Sequence, residues 1–256
     1  MAQKAGASFL EQDVVDLYRH RPPYPQQVFD LIVDLSPGSD RMLDLGCGHG
    51  KIARPMSQHF YQVVAVDPSA KMIALGKTLP HGAASNLTWV EEYAEDVPLS
   101  GAFDTVVAAL SIHWMNHERL FAKLSKHLKA QYLFAVVEGD EPHDPPWHED
   151  WQAFLGKWVP KHTGKPLHTD KDRSLWETYL DHVEVRETYE IISDPIKQSV
   201  DAFILCQHSR DTFASAKVGH HRDQFAHELR ALLLPFADQD GQLQFRTRTK
   251  LTTAII

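Results

Sequence analysis

Cysteine is scarce: the 256 residues hold only Cys47 and Cys206. A disulfide framework is not expected, and a zinc site built from sulfur has too few ligands. Basic charge is short as well, with 26 Lys and Arg against 34 Asp and Glu and a net charge of -8. A grip on nucleic-acid phosphates needs the opposite sign, so no nucleic-acid partner is expected without a local basic patch. No apolar run approaches the length of a membrane span, and the start, MAQKAGASFLEQD, lacks the apolar centre of a secretory signal. A cytoplasmic chain with no membrane partner is the expectation. The sixteen histidines are scattered; His220 and His221 adjoin, and neither sits in an H-x-x-x-H pair with a nearby glutamate, so no metal site is expected. Repeats and low-complexity segments are missing too. The remainder is an ordinary globular mix, 43% hydrophobic and 23% charged, of a length that suits one large domain.

Along the chain, short apolar strands alternate with helices. FLEQDVVDLYRH (9–20) has helical spacing, and RPPYP stops it because consecutive prolines cannot continue a helix. QQVFDLIVDL (26–35) predicts a second helix and RMLDLG (41–46) a strand. KIARPMSQHF (51–60) reads as a helix, YQVVAVDP (61–68) as a strand, and SAKMIALGKTL (69–79) as a helix capped by Ser69. Strands come next at NLTWVEEY and FDTVVAAL, then a helix at HERLFAKLSKHL and a strand at QYLFAVVEG. Such alternation predicts a mostly parallel sheet covered on both faces, with ligands at the carboxyl ends of the strands. After residue 139 the pattern breaks. A stretch rich in Pro, Trp and His holds one amphipathic piece, WHEDWQAFLGKWV, then a strand at HVEVRETYEII. Helices are expected at PIKQSVDAFILCQ and HRDQFAHELRALLLPF, and GQLQFRTRTKLTTAII closes the chain as a strand. Arg246, Arg248 and Lys250 alternate along that strand and read as a solvent face. The expected organisation is one domain, 1–256: a helical cap (1–30), a core (41–139), a lid insertion (140–182) and C-terminal strands and helices (183–256).

The glycine-rich turn in LDLGCGHGKIA (43–53) is the feature that bears on chemistry. GHGKIA, with Asp67 further on, also fits a dinucleotide fingerprint in which the acid holds a ribose hydroxyl. Asp44 argues against that ligand. A pyrophosphate seated on the turn would face a carboxylate, and unit charges roughly 4 Å apart interact by on the order of 4 kcal/mol at intermediate screening. S-adenosylmethionine reverses the sign, because it carries an ammonium and a sulfonium and only one carboxylate.

LDLGCGHG closely resembles the first motif of the class I S-adenosylmethionine-dependent methyltransferases. VVAVDPSAKMI resembles their second motif, YAEDVPL the segment after their third strand, and FDTVVAALSIHW their fourth strand. The resemblance implies an α/β, Rossmann-like fold: a mostly parallel seven-stranded sheet, helices on both faces, and an antiparallel C-terminal strand. It implies S-adenosylmethionine as cofactor, held by Asp44, Gly46, Cys47, Gly48 and Gly50 in the turn, Asp67 and Pro68 after the second strand, Ala94 and Glu95 near the adenine, and Leu110. Tyr93 stands where many relatives have aspartate. YRHRPPYP is similar to a narrower branch, the trans-aconitate methyltransferases and related small-molecule enzymes. There Tyr18 and Arg21 would close over the cofactor, Arg21 on its carboxylate, with Tyr24 near the acceptor.

The implied reaction is methyl transfer to a small molecule, on a carboxylate or hydroxyl oxygen. His113 is the candidate catalytic base. Tyr24, His113, Trp114, Trp147 and Trp151 are candidate substrate contacts, although Trp147, Trp151 and Trp158 also form a helical stripe of the kind that packs a core. The alternatives are an NAD-dependent oxidoreductase and a non-catalytic cofactor-binding module. A nucleic-acid methyltransferase is disfavoured by the charge and by SIHW, which stands where an N-P-P-Y-like tetrapeptide would be.

Overall fold

The computed structural model describes residues 7–167 and 175–256. Residues 168–174, part of the stretch expected to form a lid, and residues 1–6 of the expected cap lie outside the described set. The strands are β1 (Arg41–Leu45), β2 (Gln62–Asp67), β3 (Leu87–Glu91), β4 (Phe103–Ala109), β5 (Leu128–Glu138), β6 (Pro142–His143), β7 (Glu184–Ile192), β8 (Ile196–Ser199) and β9 (Gln242–Ile255). Contacts divide the chain into two compact units. One is Pro23–Gly139, Arg173–Ile191 and Thr249–Ile256; the other is Met1–Pro22, Asp140–Asp172 and Ile192–Arg248.

The first unit holds the sheet. Its strands run β3-β2-β1-β4-β5-β9, with β7 also on β9. β1 to β5 are parallel, in a register that pairs Leu43 with Val64 and with Val106, Ala65 with Trp89, and Val107 with Ala135. The last strand turns the other way, and Val136 faces Thr252 across an antiparallel ladder. This is the Rossmann-like, mostly parallel sheet with an antiparallel C-terminal strand that the sequence predicts.

The central strands β1, β2, β4 and β5 are mostly apolar where both faces are covered. Met42, Val63, Ala65 and Val107 pack under Val28 and Ile32 of helix Gln26–Leu35. Leu43, Val64, Val106 and Phe134 pack under Leu120, Phe121 and Leu124 of helix His117–Leu124. A fully buried Val, Leu, Phe or Met side chain contributes about 1.5–3 kcal/mol of transfer free energy, so β1, β2 and β4 are held from both faces. Their carboxyl ends then share one edge, with little freedom to shift.

Three expected helices differ. Residues 9–20 hold only a short α-helix, Gln12–Leu17, between 3-10 turns at Ala7–Leu10 and Tyr18–His20. Residues 51–60 keep only a short α-helical turn, Ala53–Met56. Pro55 has no N–H to donate, and the next residues close as tight turns, with Gln58 N–H on Pro55 O and His59 N–H on Met56 O. Residues 195–207 are not one helix, as their pattern predicts. Ile196–Ser199 instead form β8, paired with Gln242–Phe245, and the helix is Val200–His208. Ser199 is its N-cap and accepts the Ala202 N–H at 3.1 Å. The strand partner lies more than forty residues away, so nothing local marks it.

The second unit is built on helices His148–Thr163, Val200–His208 and Arg222–Leu233, with β6 and β8 on the N-terminal half of β9. Its centre is aromatic. Trp151 stacks on Phe154 with centroids 5.6 Å apart, and Phe154 meets Phe225 edge-on at 5.0 Å. Trp147 and Trp158 are fully buried there.

Candidate functional site

The ends of β1 to β4 collect most of the residues singled out in the sequence. After β1 the chain enters the glycine turn, where Gly46, Gly48 and Gly50 all have positive φ, at 63°, 56° and 80°. Side chains with a Cβ are disfavoured there. The three glycines differ in surroundings. A Cβ on Gly46 would lie 2.5 Å from the Cβ of Ser111, and one on Gly50 would lie 2.6 Å from the Trp89 ring. A Cβ on Gly48 would meet nothing within 4 Å. Gly46 and Gly50 let the turn press against its own protein, whereas Gly48 leaves bare backbone facing open space.

The turn is tied down by backbone and carboxylates. Cys47 N–H donates to Val66 O at 2.9 Å and Gly50 N–H to Cys47 O at 2.8 Å. Asp67, the last residue of β2, accepts the Gly48 N–H through Oδ2 at 2.7 Å and the Ser69 N–H through Oδ1 at 2.8 Å. Burial pushes its carboxyl up, and those two N–H groups pull it back. Each oxygen keeps a further lone pair, so Asp67 can still accept from two hydroxyls. Ser69 caps helix Ala70–Thr78 by accepting the Met72 N–H.

Asp44 sits in β1 at 1% exposure. Its Oδ2 accepts the Ala53 N–H at 3.0 Å, and its Oδ1 is buried with no partner among the described residues. Burial pushes the carboxyl up to about 7; the Ala53 N–H opposes the rise and the Asp67 charge adds to it. Burial, with Asp44 and Asp67 behind it, raises the Cys47 thiol well above its ordinary range, so Cys47 stays an inert thiol.

Beyond β3, Tyr93 O accepts from the Asp96 and Val97 N–H groups in a tight turn that buries Ala94 and Glu95. Beyond β4, Leu110 adopts φ 51° and donates its N–H to Val137 O at 2.8 Å. A left-handed leucine costs of order 1–3 kcal/mol, and such strain concentrates at functional sites. It turns the chain into Ile112–Trp114, a 3-10 turn in which the His113 and Trp114 rings lie 4.3 Å apart. Pro68 stands partly buried after Asp67. Tyr24 is buried in the layer beside helix Gln26–Leu35, with Lys51 Nζ 5.5 Å from its ring centroid.

Tyr18, Arg21, Trp147 and Trp151 belong to the other unit. The Arg21 guanidinium lies 4.4 Å over the Tyr18 ring, donates from Nε to Ser209 Oγ at 3.0 Å and from Nη2 to Ser209 O at 2.9 Å, and faces Asp140 at 3.7 Å. Trp147 and Trp151 are walls of the aromatic core, Trp147 meeting Phe245 at 5.9 Å and Trp151 meeting Phe203 at 5.8 Å.

Three further titratable residues emerge from the structure. Asp140, just past β5, is buried and pairs with Arg210 at 2.9 Å as well as with Arg21. Burial opposes the charge on Arg210, but Asp140 outweighs it and holds the guanidinium above its ordinary range. Glu138 ends β5; burial raises its carboxyl, Lys250 opposes the rise and Glu177 adds to it. The signal for Glu138 is present in the sequence, an acid closing the apolar run FAVVEG. Nothing local marks the Arg210 pairing. Among the described residues no group of three or more His, Cys, Asp or Glu could hold a metal ion, and no helix is long and apolar enough to cross a membrane.

These features fit the cofactor implied by the resemblance. The orphaned Asp44 oxygen calls for a cationic or hydrogen-bonding partner, and the bare backbone at Gly48 admits a close approach. Residues 42–131 match the family model described as a methyltransferase domain. CRG1 of Saccharomyces cerevisiae, designated a probable S-adenosylmethionine-dependent methyltransferase, is 31% identical over 62% of this chain and 56% of its own length. The trans-aconitate 2-methyltransferase of Deinococcus radiodurans is 35% identical over 38% of this chain and 36% of its own. The chain thus spans about half the length, or less, of these curated relatives. A solved structure from Anaeromyxobacter dehalogenans, described as a type II methyltransferase, shares the fold with a TM-score of 0.66 at 20% identity, over 91% of this chain and 96% of that one. Glycine turn, the acid ending β2 and sheet order agree with these likenesses: residues 42–131 are similar to a methyltransferase domain and lie on a class I, Rossmann-like sheet.

Proposed function

We propose that this chain binds S-adenosylmethionine at the ends of β1 to β4 and catalyses methyl transfer to an oxygen, carboxylate or hydroxyl, of a small molecule. The observation that carries the reading is the pairing of a buried, unpartnered Asp44 oxygen with the open backbone at Gly48. In this reading the turn from Gly46 to Gly50 lies along the methionyl part, Asp67 accepts from the ribose hydroxyls, and Ala94 and Glu95 line the adenine. Bound there, the cofactor supplies a methyl carbon already activated by its sulfonium. The protein's share is to hold the reactants in line and to exclude water. A carboxylate acceptor needs no base. For a hydroxyl acceptor we assign proton acceptance to His113, at the exit of β4 beside Trp114. The relative named for trans-aconitate, a small carboxylic acid, supports an acidic acceptor for this branch.

Calorimetry with S-adenosylhomocysteine and, separately, NAD tests the cofactor. Tight NAD binding without binding of the homocysteine compound overturns the reading in favour of an oxidoreductase. Turnover with methyl-labelled S-adenosylmethionine over a panel of small carboxylic acids and alcohols tests the acceptor, and full cofactor affinity without turnover on any of them would point to a binding module. Asp67→Ala is expected to weaken S-adenosylhomocysteine by roughly 1–3 kcal/mol, the scale of hydrogen bonds to a charged group. Unchanged affinity would remove Asp67 from the ribose.

A further inference from the structure

Asp44 has an unusual set of neighbours for a carboxylate placed to meet a cation. It is 1% exposed. One oxygen is satisfied by the Ala53 N–H and the other has no partner among the described residues. A second carboxylate, Asp67 at the end of β2, acts on it, and the Cys47 thiol in the turn feels both charges. Two carboxylates close together in a buried place do not both ionise readily, and the one with fewer hydrogen bonds keeps its proton longer. Among the described residues Asp67 has two N–H donors and Asp44 has one.

We propose that Asp44 stands as a neutral acid in the ligand-free chain and receives the cofactor's ammonium group only by releasing that proton to solvent, so that cofactor binding and proton release are one event. The inference rests on the proposed cofactor and its place at the turn. The balance is simple: one proton leaves as one cationic group enters beside the carboxylate, no covalent bond changes, and the net charge of the buried site is unaltered. The rise of the Asp44 carboxyl to about 7 agrees with this exchange. In physiological conditions the site is then charge-selective by exchange, and acidification releases the cofactor.

The test is calorimetric titration of S-adenosylhomocysteine into the full chain at pH 6 and pH 7, in phosphate and in Tris, whose ionisation enthalpies differ. The wild-type chain should release about half a proton per ligand at pH 7 and nearly a whole one at pH 6, and its affinity should rise about fivefold from pH 6 to pH 7. This window lies below the titration of the ligand's own amino group. Asp44→Asn keeps an oxygen for the Ala53 N–H and should bind weakly with no proton release and no such pH slope. Binding without proton release in the wild type, or the same release from Asp44→Asn, overturns the inference while leaving the cofactor assignment standing. No binding at all in the wild type overturns both.

A second measurement covers the case in which Asp44→Asn binds too weakly to titrate. The folded chain holds the Asp44 proton to higher pH than the unfolded chain, between the ordinary 3.8 and about 7. The stabilisation is therefore complete below the lower value and is lost as pH rises through the window. The ligand-free wild type should lose stability relative to Asp44→Asn as pH rises from 4 to 7. Parallel stability curves for the two proteins would show that Asp44 is already ionised, and the inference would fail.

Discussion

Gly48→Val should abolish the binding of S-adenosylhomocysteine in calorimetry, an affinity loss of at least about a hundredfold, while the chain still unfolds cooperatively. Residue 48 has φ 56°, and a Cβ placed there meets no protein atom within 4 Å. The added isopropyl group therefore occupies the space in front of the turn rather than space inside the protein. A ligand that must touch this backbone loses van der Waals contact and the approach to the neighbouring N–H groups together. The substitution is not free for the fold, because a β-branched residue in the left-handed region costs of order 1–3 kcal/mol. The melting temperature should fall by a few degrees.

The neighbouring glycines provide the contrast. Gly46→Ala and Gly50→Ala should damage folding first, since their Cβ atoms would collide with Ser111 Cβ at 2.5 Å and with Trp89 at 2.6 Å. If Gly48→Val bound the homocysteine compound normally, the turn would not be the cofactor site, however well the motif matches.

Asp140→Ala should unfold its unit more easily by about 3–5 kcal/mol, read as a shift of the urea midpoint, because removing one member of a buried ion pair leaves the other as an uncompensated charge. Here Asp140 faces two guanidiniums, Arg210 at 2.9 Å and Arg21 at 3.7 Å. Arg21 retains its Ser209 bonds, and Arg210 retains only the exposed Glu141 at 3.5 Å among its ion-pair partners in the described residues. The Arg210 side chain should therefore move toward solvent in the variant. Asp140→Asn should fall between the two proteins, because it keeps an acceptor oxygen and loses the charge. A loss below about 1 kcal/mol would mean that water reaches the network and screens it as at a surface.

The electrostatics of the turn illustrate how far residue types alone can carry. The sequence puts Asp44 beside three glycines, and its sign argues for a cationic ligand over a pyrophosphate. It does not show that the carboxylate is buried, that the Ala53 N–H reaches one of its oxygens, or that Asp67 lies near enough to repel it. Burial and that second carboxylate push the Asp44 carboxyl up to about 7. The same limit appears in the second unit. Trp147 and Trp151 have the spacing of a helical face, which can line a pocket but more often packs a core or lid; their neighbours Phe203 and Phe245 come from elsewhere in the chain and make them core.

Local order is written in the sequence because it depends on neighbours in the chain. The strand and helix alternation up to β5, the positive-φ glycines, the Ser69 cap and the end of helix 26–35 all arise from residues a few positions apart. Only the tertiary structure decided the environment of the Asp44 carboxyl, the sharing of Asp140 by Arg21 and Arg210, and the strand in place of a helix turn at Ile196–Ser199. Each of these is set by desolvation or by a partner from a distant part of the chain, and the free energy of a buried charge or an added strand depends on what folding brings beside it.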